Sequence, residues 1–120
     1  MTTTPLRTTD QRFAALSRAQ EVRIHRARMK RDLHNSTLEN AAAAAIGYLA
    51  KPPTWLETMH ARDLILAIPK IGPSRVDRLL TATQTSPRKT ITGLSRRQRQ
   101  ALITWLRLFA ATHTMEANDV

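Results

Sequence analysis

Ala67-Ile68-Pro69-Lys70-Ile71-Gly72-Pro73-Ser74-Arg75-Val76-Asp77-Arg78-Leu79-Leu80 is the stretch that decides the fold. It sets a helix breaker, Pro69, and a glycine-proline pair, Gly72-Pro73, between two runs of helical apolar spacing. Leu64, Ile65 and Ile68 form the first run, and Val76, Leu79 and Leu80 the second. The pattern predicts two short helices, over residues 61–68 and 74–82, joined by a tight hairpin. Pro69 ends the first helix and Ile71 turns into the core to pin the hairpin. Gly72 supplies the backbone freedom and the close approach that a side chain would block.

The string resembles a helix-hairpin-helix motif. Its second helix begins with N–H groups that no helical carbonyl takes up, and these face outward with the positive end of the helix dipole. Together they make an anion site suited to one phosphate oxygen. Lys70 and Arg75 flank that site with full charges, and Ser74 stands in the first helical turn.

Outward toward the C-terminus, residues 83–92 hold β-branched and turn residues around Pro87-Arg88-Lys89, and read as an exposed basic loop. Ser95 and Gln98 then make a capping box for a last helix, which runs to about residue 109 through Leu102, Ile103, Leu106 and Phe109. Arg96, Arg97 and Arg99 fall in its first turn. Cations there oppose the helix dipole and cost stability unless an anion is present, so they form, with Arg88 and Lys89, a second candidate binding cluster. On its loop, Arg88 is placed to sense a narrow minor groove without reading bases uniquely.

Toward the N-terminus, residues 10–34 contain no Gly or Pro and read as one long helix, with Thr9 or Asp10 as its cap. Phe13, Leu16, Ile24 and Ala27 lie on one side of it, and Val22, Met29 and Leu33 on nearly the opposite side, so its two halves are expected to pack against different things. Arg23, Arg26 and Lys30 recur at helical spacing as a basic stripe, either a further binding face or solvated surface. Ser36 with Glu39 three residues on is a capping-box signature that opens a second helix. There Leu38, Ala41, Ala42, Ala45, Ile46 and Leu49 share one face. Lys51-Pro52-Pro53 stops it, Thr54-Trp55-Leu56-Glu57 makes a short helical turn at most, and Trp55 plugs the core.

The resulting expectation is an all-α chain. A disordered tail (1–9) leads into a long basic helix (10–35). A compact domain built around the hairpin (36–110) and a second disordered tail (111–120) follow. Its 120 residues suit one modest core, and 42% hydrophobic content fills it. Nineteen Lys and Arg against nine Asp and Glu give a net charge of +10, which points to a polyanionic partner. The longest apolar run, residues 41–46, is mostly alanine and far short of the roughly 20 residues that cross a bilayer. No secretory signal opens the chain, so a soluble protein of the reducing cytoplasm is expected. With no cysteine there is no thiolate for zinc, the four histidines share no metal-ligand spacing, and no cofactor is implied.

Three stretches, in this order, resemble the actinobacterial integration host factor family of small nucleoid-associated proteins. They are Arg26-Ala27-Arg28-Met29-Lys30-Arg31-Asp32-Leu33, Ile68-Pro69-Lys70-Ile71-Gly72 with the helix after it, and Gly93-Leu94-Ser95-Arg96-Arg97-Gln98-Arg99-Gln100-Ala101-Leu102. With their spacing, the resemblance covers residues 10–109. It implies a long N-terminal helix attached to a helix-two-turn-helix domain. It also implies binding of double-stranded DNA with little sequence preference, DNA compaction or bending, and service to site-specific recombination. Carried residue by residue, it places Lys70, Gly72, Ser74 and Arg75 in the hairpin that holds one strand, and Ile71 between them completes the candidate contacts. Arg88 and Lys89 match the family's basic pair, and Arg97 and Arg99 its final basic helix start. Typical members carry Gly-Leu-Gly-Asp where this chain has Gly93-Leu94-Ser95-Arg96, so Arg96 replaces an acid. The stretch Lys51 to Trp55 is less like the family. A nucleoid-associated monomer, sharing DNA with a recombinase and touching no membrane, is the expected form.

Other classes fare less well. Helix-hairpin-helix units occur in glycosylases and ligases, but those need a catalytic Lys or Asp in a pocket and a larger body to flip a base. The chain therefore reads as non-enzymatic. Structured RNA is the alternative partner, because helix-two-turn-helix units also occur in a ribosomal protein, whereas 4% aromatic content gives few platforms for stacking single strands. A third reading has Phe13 and Leu16 dock a partner protein.

Overall fold

In the computed structural model the backbone is described for residues 3–118 and the side chains for residues 9–113. Five helices follow one another, α1 (Thr3–Asn35), α2 (Leu38–Ala50), α3 (Ala61–Leu66), α4 (Pro73–Ala82) and α5 (Arg96–Asn118), with a 3₁₀ turn at Thr54–Leu56 between α2 and α3. No strand occurs among the described residues. The expected all-α architecture with a long N-terminal helix is the observed one.

Helix α1 starts earlier than the sequence reading placed it. Residues 3–9, expected as a disordered tail, continue the helix, because the one proline there, Pro5, falls in the first turn, where its missing N–H has no ladder partner to lose. Met1 and Thr2 lie outside the described residues. Thr9 and Asp10 are therefore internal to the helix and not its caps. Residues 9–21 are exposed throughout, so the first half of α1 stands away from the body as an arm, and the molecule extends 72 Å along its long axis. Of the two apolar sets, Met29 and Leu33 are buried while Phe13, Leu16 and Ile24 face solvent.

Arg26 fixes the second half of α1 to the body. Its Nε donates to the Trp55 carbonyl at 2.8 Å and a terminal nitrogen to Thr58 Oγ1 at 2.7 Å. The Trp55 ring, half-buried, stacks on His25 with centroids 5.3 Å apart and meets Tyr48 edge-on at 5.8 Å. A tryptophan on the short turn thus joins α1 to α2.

Thr37, not Ser36, caps α2. Thr37 Oγ1 accepts from Asn40 N at 3.2 Å, while the Ser36 hydroxyl donates back to the Asp32 carbonyl at 2.6 Å and finishes α1. The capping-box spacing was displaced by one residue because the preceding helix uses the serine. Leu38, Ala41, Ala42, Ala45 and Leu49 then bury one face, chiefly against α5. The alanine methyls let the two helices approach closely, and from α5 Leu102, Ile103, Leu106 and Phe109 complete that core.

The segment between α4 and α5, expected as an exposed basic loop, is only partly so. Ile91 and Leu94 are buried, and the Thr83 and Thr85 hydroxyls, 3.0 Å apart, are buried together. Backbone pairs lash this segment to the start of α3: Ala61 N donates to Lys89 O at 3.0 Å and Ile91 N to Met59 O at 2.9 Å. These bonds join residues far apart in sequence, which no local pattern announces. Gly93 folds the turn tightly, with its N–H on Thr90 O at 3.0 Å.

The Ser95–Gln98 capping box forms as expected. Ser95 N donates to Gln98 Oε1 at 2.9 Å and Gln98 N to Ser95 Oγ at 3.1 Å. Gln98 Nε2 also reaches the Gln84 carbonyl at 2.9 Å, pinning α5 to the end of α4. At its other end α5 runs on to Asn118, through residues expected as tail, since neither Gly nor Pro interrupts the ladder after Phe109. No helix among the described residues is long and apolar enough to cross a membrane.

Candidate nucleic-acid interface

The hairpin between α3 and α4 takes the expected form, with one correction. Ile71 is buried in the core, and Pro73 opens α4 at its first position. Gly72, however, is not the residue with unusual backbone geometry. It sits at φ −87°, ψ 170°, extended values that any residue adopts. The left-handed residue is Lys70, at φ 70°. Chain reversal after Pro69 needs one positive φ, and it falls two residues before the glycine. A Cβ built on Gly72 would meet nothing within 4 Å. The fold therefore has room for a side chain there, and what the glycine leaves open is the approach from outside.

Gly72 caps α4 without a side-chain hydrogen bond, and the first helical bond runs from Val76 N to Gly72 O. Pro73 has no N–H, so the donors of Ser74 and Arg75 precede that bond and point out of the helix. Lys70, Gly72, Ser74 and Arg75 are all exposed. Backbone amides and the positive helix end lie on an open surface two residues after the exposed Lys70, an arrangement that suits an oxyanion.

Arg75 leans away from the turn and over α5. Its guanidinium carbon lies 4.8 Å from the centroid of the Phe109 ring. Phe109 stacks in turn on Trp105, centroids 4.9 Å apart, and His113 tilts against it at 3.8 Å. Arg75, Arg78, Leu79, Trp105, Phe109 and His113 line an open cleft of about 380 Å³ between α4 and α5. At the opposite end of α4, Arg97 donates to the Thr83 carbonyl at 3.2 Å. With 75 beside 109 and 83 beside 97, the two helices run antiparallel.

The sequence-predicted residues consequently divide between two ends of α4, about 15 Å apart at 1.5 Å per residue. Lys70, Ile71, Gly72, Ser74 and Arg75 gather at the hairpin end. Arg96 and Arg97 stand at the other, where the residue 83–95 segment joins α5. Arg88 and Lys89 are carried on that same segment, where it pairs with the start of α3, with Arg88 exposed and Lys89 half-buried. Arg78, which the sequence reading did not single out, lies between the two ends. Its i, i+3 spacing from Arg75 was the available signal.

Besides Arg97, two of the expected cations are employed inside the fold. Arg99 is half-buried, donating to the carbonyls of Leu49 and Ile91, and Arg26 braces α1 as described. Half-buried and bonded to protein oxygens, these guanidinia hold structure. Arg23 and Lys30 remain exposed on α1. Asp77, the acid within α4, is paired with Arg62 at 3.0 Å.

No family model and no solved structure matches the chain. Two curated proteins do. The chain is 33% identical over 103 residues to the integration host factor of Mycobacterium tuberculosis, covering 82% of this chain and 91% of that protein. It is 31% identical over 101 residues to the integration host factor of Mycolicibacterium smegmatis, with the same coverage of 82% and 91%. Similarity at that level over most of both lengths, on an all-helical chain with a long first helix, settles the relationship: this chain belongs to the mycobacterial-type integration host factor family.

Proposed function

We propose that the chain binds double-stranded DNA, gripping the phosphate backbone with little preference for sequence. It works at the nucleoid in the cytoplasm, shaping or bending DNA and assisting site-specific recombination, as an architectural protein and not a catalyst. The observation that carries this reading is the start of α4. An uncapped helix N-terminus lies open at Gly72, beside a lysine held in a left-handed conformation. Non-glycine residues persist in that conformation, at a cost of about 1–3 kcal/mol, where function or surrounding structure requires it. The name carried by the mycobacterial relatives supports the same reading.

The groups on offer are amides and cations, which suit phosphate oxygens. Sequence reading in the major groove calls instead for several side chains aimed at base edges. On this reading α1 is a basic arm, and residues 36–110 form the helix-two-turn-helix domain that meets the duplex. The protein is a monomer until DNA gathers it.

Competition for one labelled random duplex tests the proposal. Unlabelled duplex DNA is expected to displace the probe at lower concentration than duplex RNA or either single strand. Preferential displacement by structured RNA would move the assignment to RNA.

A further inference from the structure

We propose that the cleft between α4 and α5 is a second phosphate-binding position on the same DNA strand, built from Arg75 and Arg78, with Phe109 as the residue that positions Arg75. The inference rests on the duplex-binding reading and adds to it a site, Arg78 and an aromatic floor that the hairpin alone does not contain.

Arg26, Arg62, Arg97 and Arg99 direct guanidinium N–H groups at protein oxygens. The guanidinia of Arg75 and Arg78 have no hydrogen bond or ion pair among the described residues. Arg75 is nevertheless held, by the face of Phe109 at 4.8 Å. A ring face contacts the flat of a guanidinium and leaves the N–H edge unused, so the fork is fixed in place with its donors unfilled. Fixing a side chain before binding removes part of the ordering entropy that a flexible arginine loses at the interface.

Like charges at i, i+3 on one helix face repel, and here both line one cleft with His113 at its edge. The pairing costs stability in the free protein and is offset when a dianionic or monoanionic oxygen group enters. The ring beneath Arg75 is itself supported: Phe109 stacks on Trp105, touches His113, and is 8% exposed. From the amides at Ser74, the cleft continues along α4 toward Arg97, the direction a backbone must take to touch both ends of the helix. A phosphodiester next to the one at Gly72 is the ligand this chemistry selects.

The test uses the full chain and a random-sequence duplex, with affinity measured across a salt series. Arg78→Ala is expected to weaken binding about tenfold and to lower the salt slope by about one. Phe109→Leu should weaken binding severalfold, Phe109→Tyr should bind like wild type, and each variant's fold is checked by far-ultraviolet circular dichroism. The positioning role is read from a double-mutant cycle: Phe109→Leu should lose its effect on affinity when Arg75 is already Ala. Wild-type affinity and slope in Arg78→Ala would overturn the second phosphate position. A Phe109→Leu penalty that persists unchanged in the Arg75→Ala background would overturn the positioning role. Failure of wild type itself to bind duplex would overturn the functional reading as a whole, and with it this inference.

Discussion

The guanidinium of Arg99 donates to the carbonyl oxygen of Ile91 at 2.8 Å. Its other terminal nitrogen reaches the carbonyl of Leu49, one of the last in α2, where helical carbonyls lack ladder partners. One side chain near the start of α5 thus closes the end of α2 and holds the segment that carries Arg88 and Lys89. Arg99→Ala should therefore act on stability and not on contact with a partner, removing about 1–3 kcal/mol by leaving two shielded carbonyls unpaired. Urea unfolding checks this. A variant as stable as wild type but impaired in binding would return Arg99 to the interface.

The two glycines at turns separate function from folding. A Cβ on Gly93 would lie 2.8 Å from Thr90 Oγ1 and 3.4 Å from Thr90 O, so Gly93→Ala must displace the turn and is expected to lower the melting temperature. Gly72→Ala meets open space at an ordinary φ and should melt like wild type. Its methyl group projects where a phosphate backbone has to approach, so duplex affinity should fall severalfold. A Gly72→Ala protein that is folded and binds normally removes the hairpin from the mechanism.

Lys70 carries strain and charge at one position, which makes them separable. Lys70→Gly relieves a left-handed conformation that costs about 1–3 kcal/mol, against about 0.5–1 kcal/mol lost in unfolded-chain entropy, so stability should be retained or rise slightly. Affinity for every duplex should drop together with the salt slope, because the ammonium is gone. Lys70→Ala keeps the strain and loses the charge, and is expected to be the less stable of the two. Thermal melts of the pair, set beside their binding curves, decide it.

Much of this was legible in the sequence because apolar spacing reports burial directly. The faces through Leu64, Ile65 and Ile68, through Val76, Leu79 and Leu80, and through Leu102, Ile103 and Leu106 are buried as their periodicity requires. The Ser95–Gln98 cap was equally readable, since its geometry is wholly local. What escaped has a common cause. Ile91 and Leu94 enter the core from a segment without periodicity, through backbone bonds to residues about thirty positions away. Whether an arginine serves the fold or the surface depends on which carbonyl lies opposite, so in the sequence Arg26 and Arg99 are indistinguishable from Arg23 and Arg96. Glycine is the residue type that a conformational hinge predicts, which points to Gly72, whereas the positive φ sits on Lys70, a residue type that rarely adopts it.

On α1, neighbouring arginines should behave differently. Arg26→Ala breaks the bonds to Trp55 O and Thr58 Oγ1 and is expected to destabilise by about 0.5–1.5 kcal/mol, shifting tryptophan emission as the ring contacts with His25 and Tyr48 loosen. Arg23→Ala, whose side chain is exposed on α1, should leave stability and emission unchanged. Equal effects of the two would mean that the second half of α1 is not braced through Arg26.

The most direct measurement of the central claim is titration of random-sequence duplex DNA with the full chain over a range of salt concentrations. Binding through phosphates predicts that the logarithm of the association constant falls linearly and steeply with the logarithm of salt, with nearly the same line for unrelated sequences. An association that ignores salt, belongs to one sequence only, or is missing in dilute buffer would contradict it.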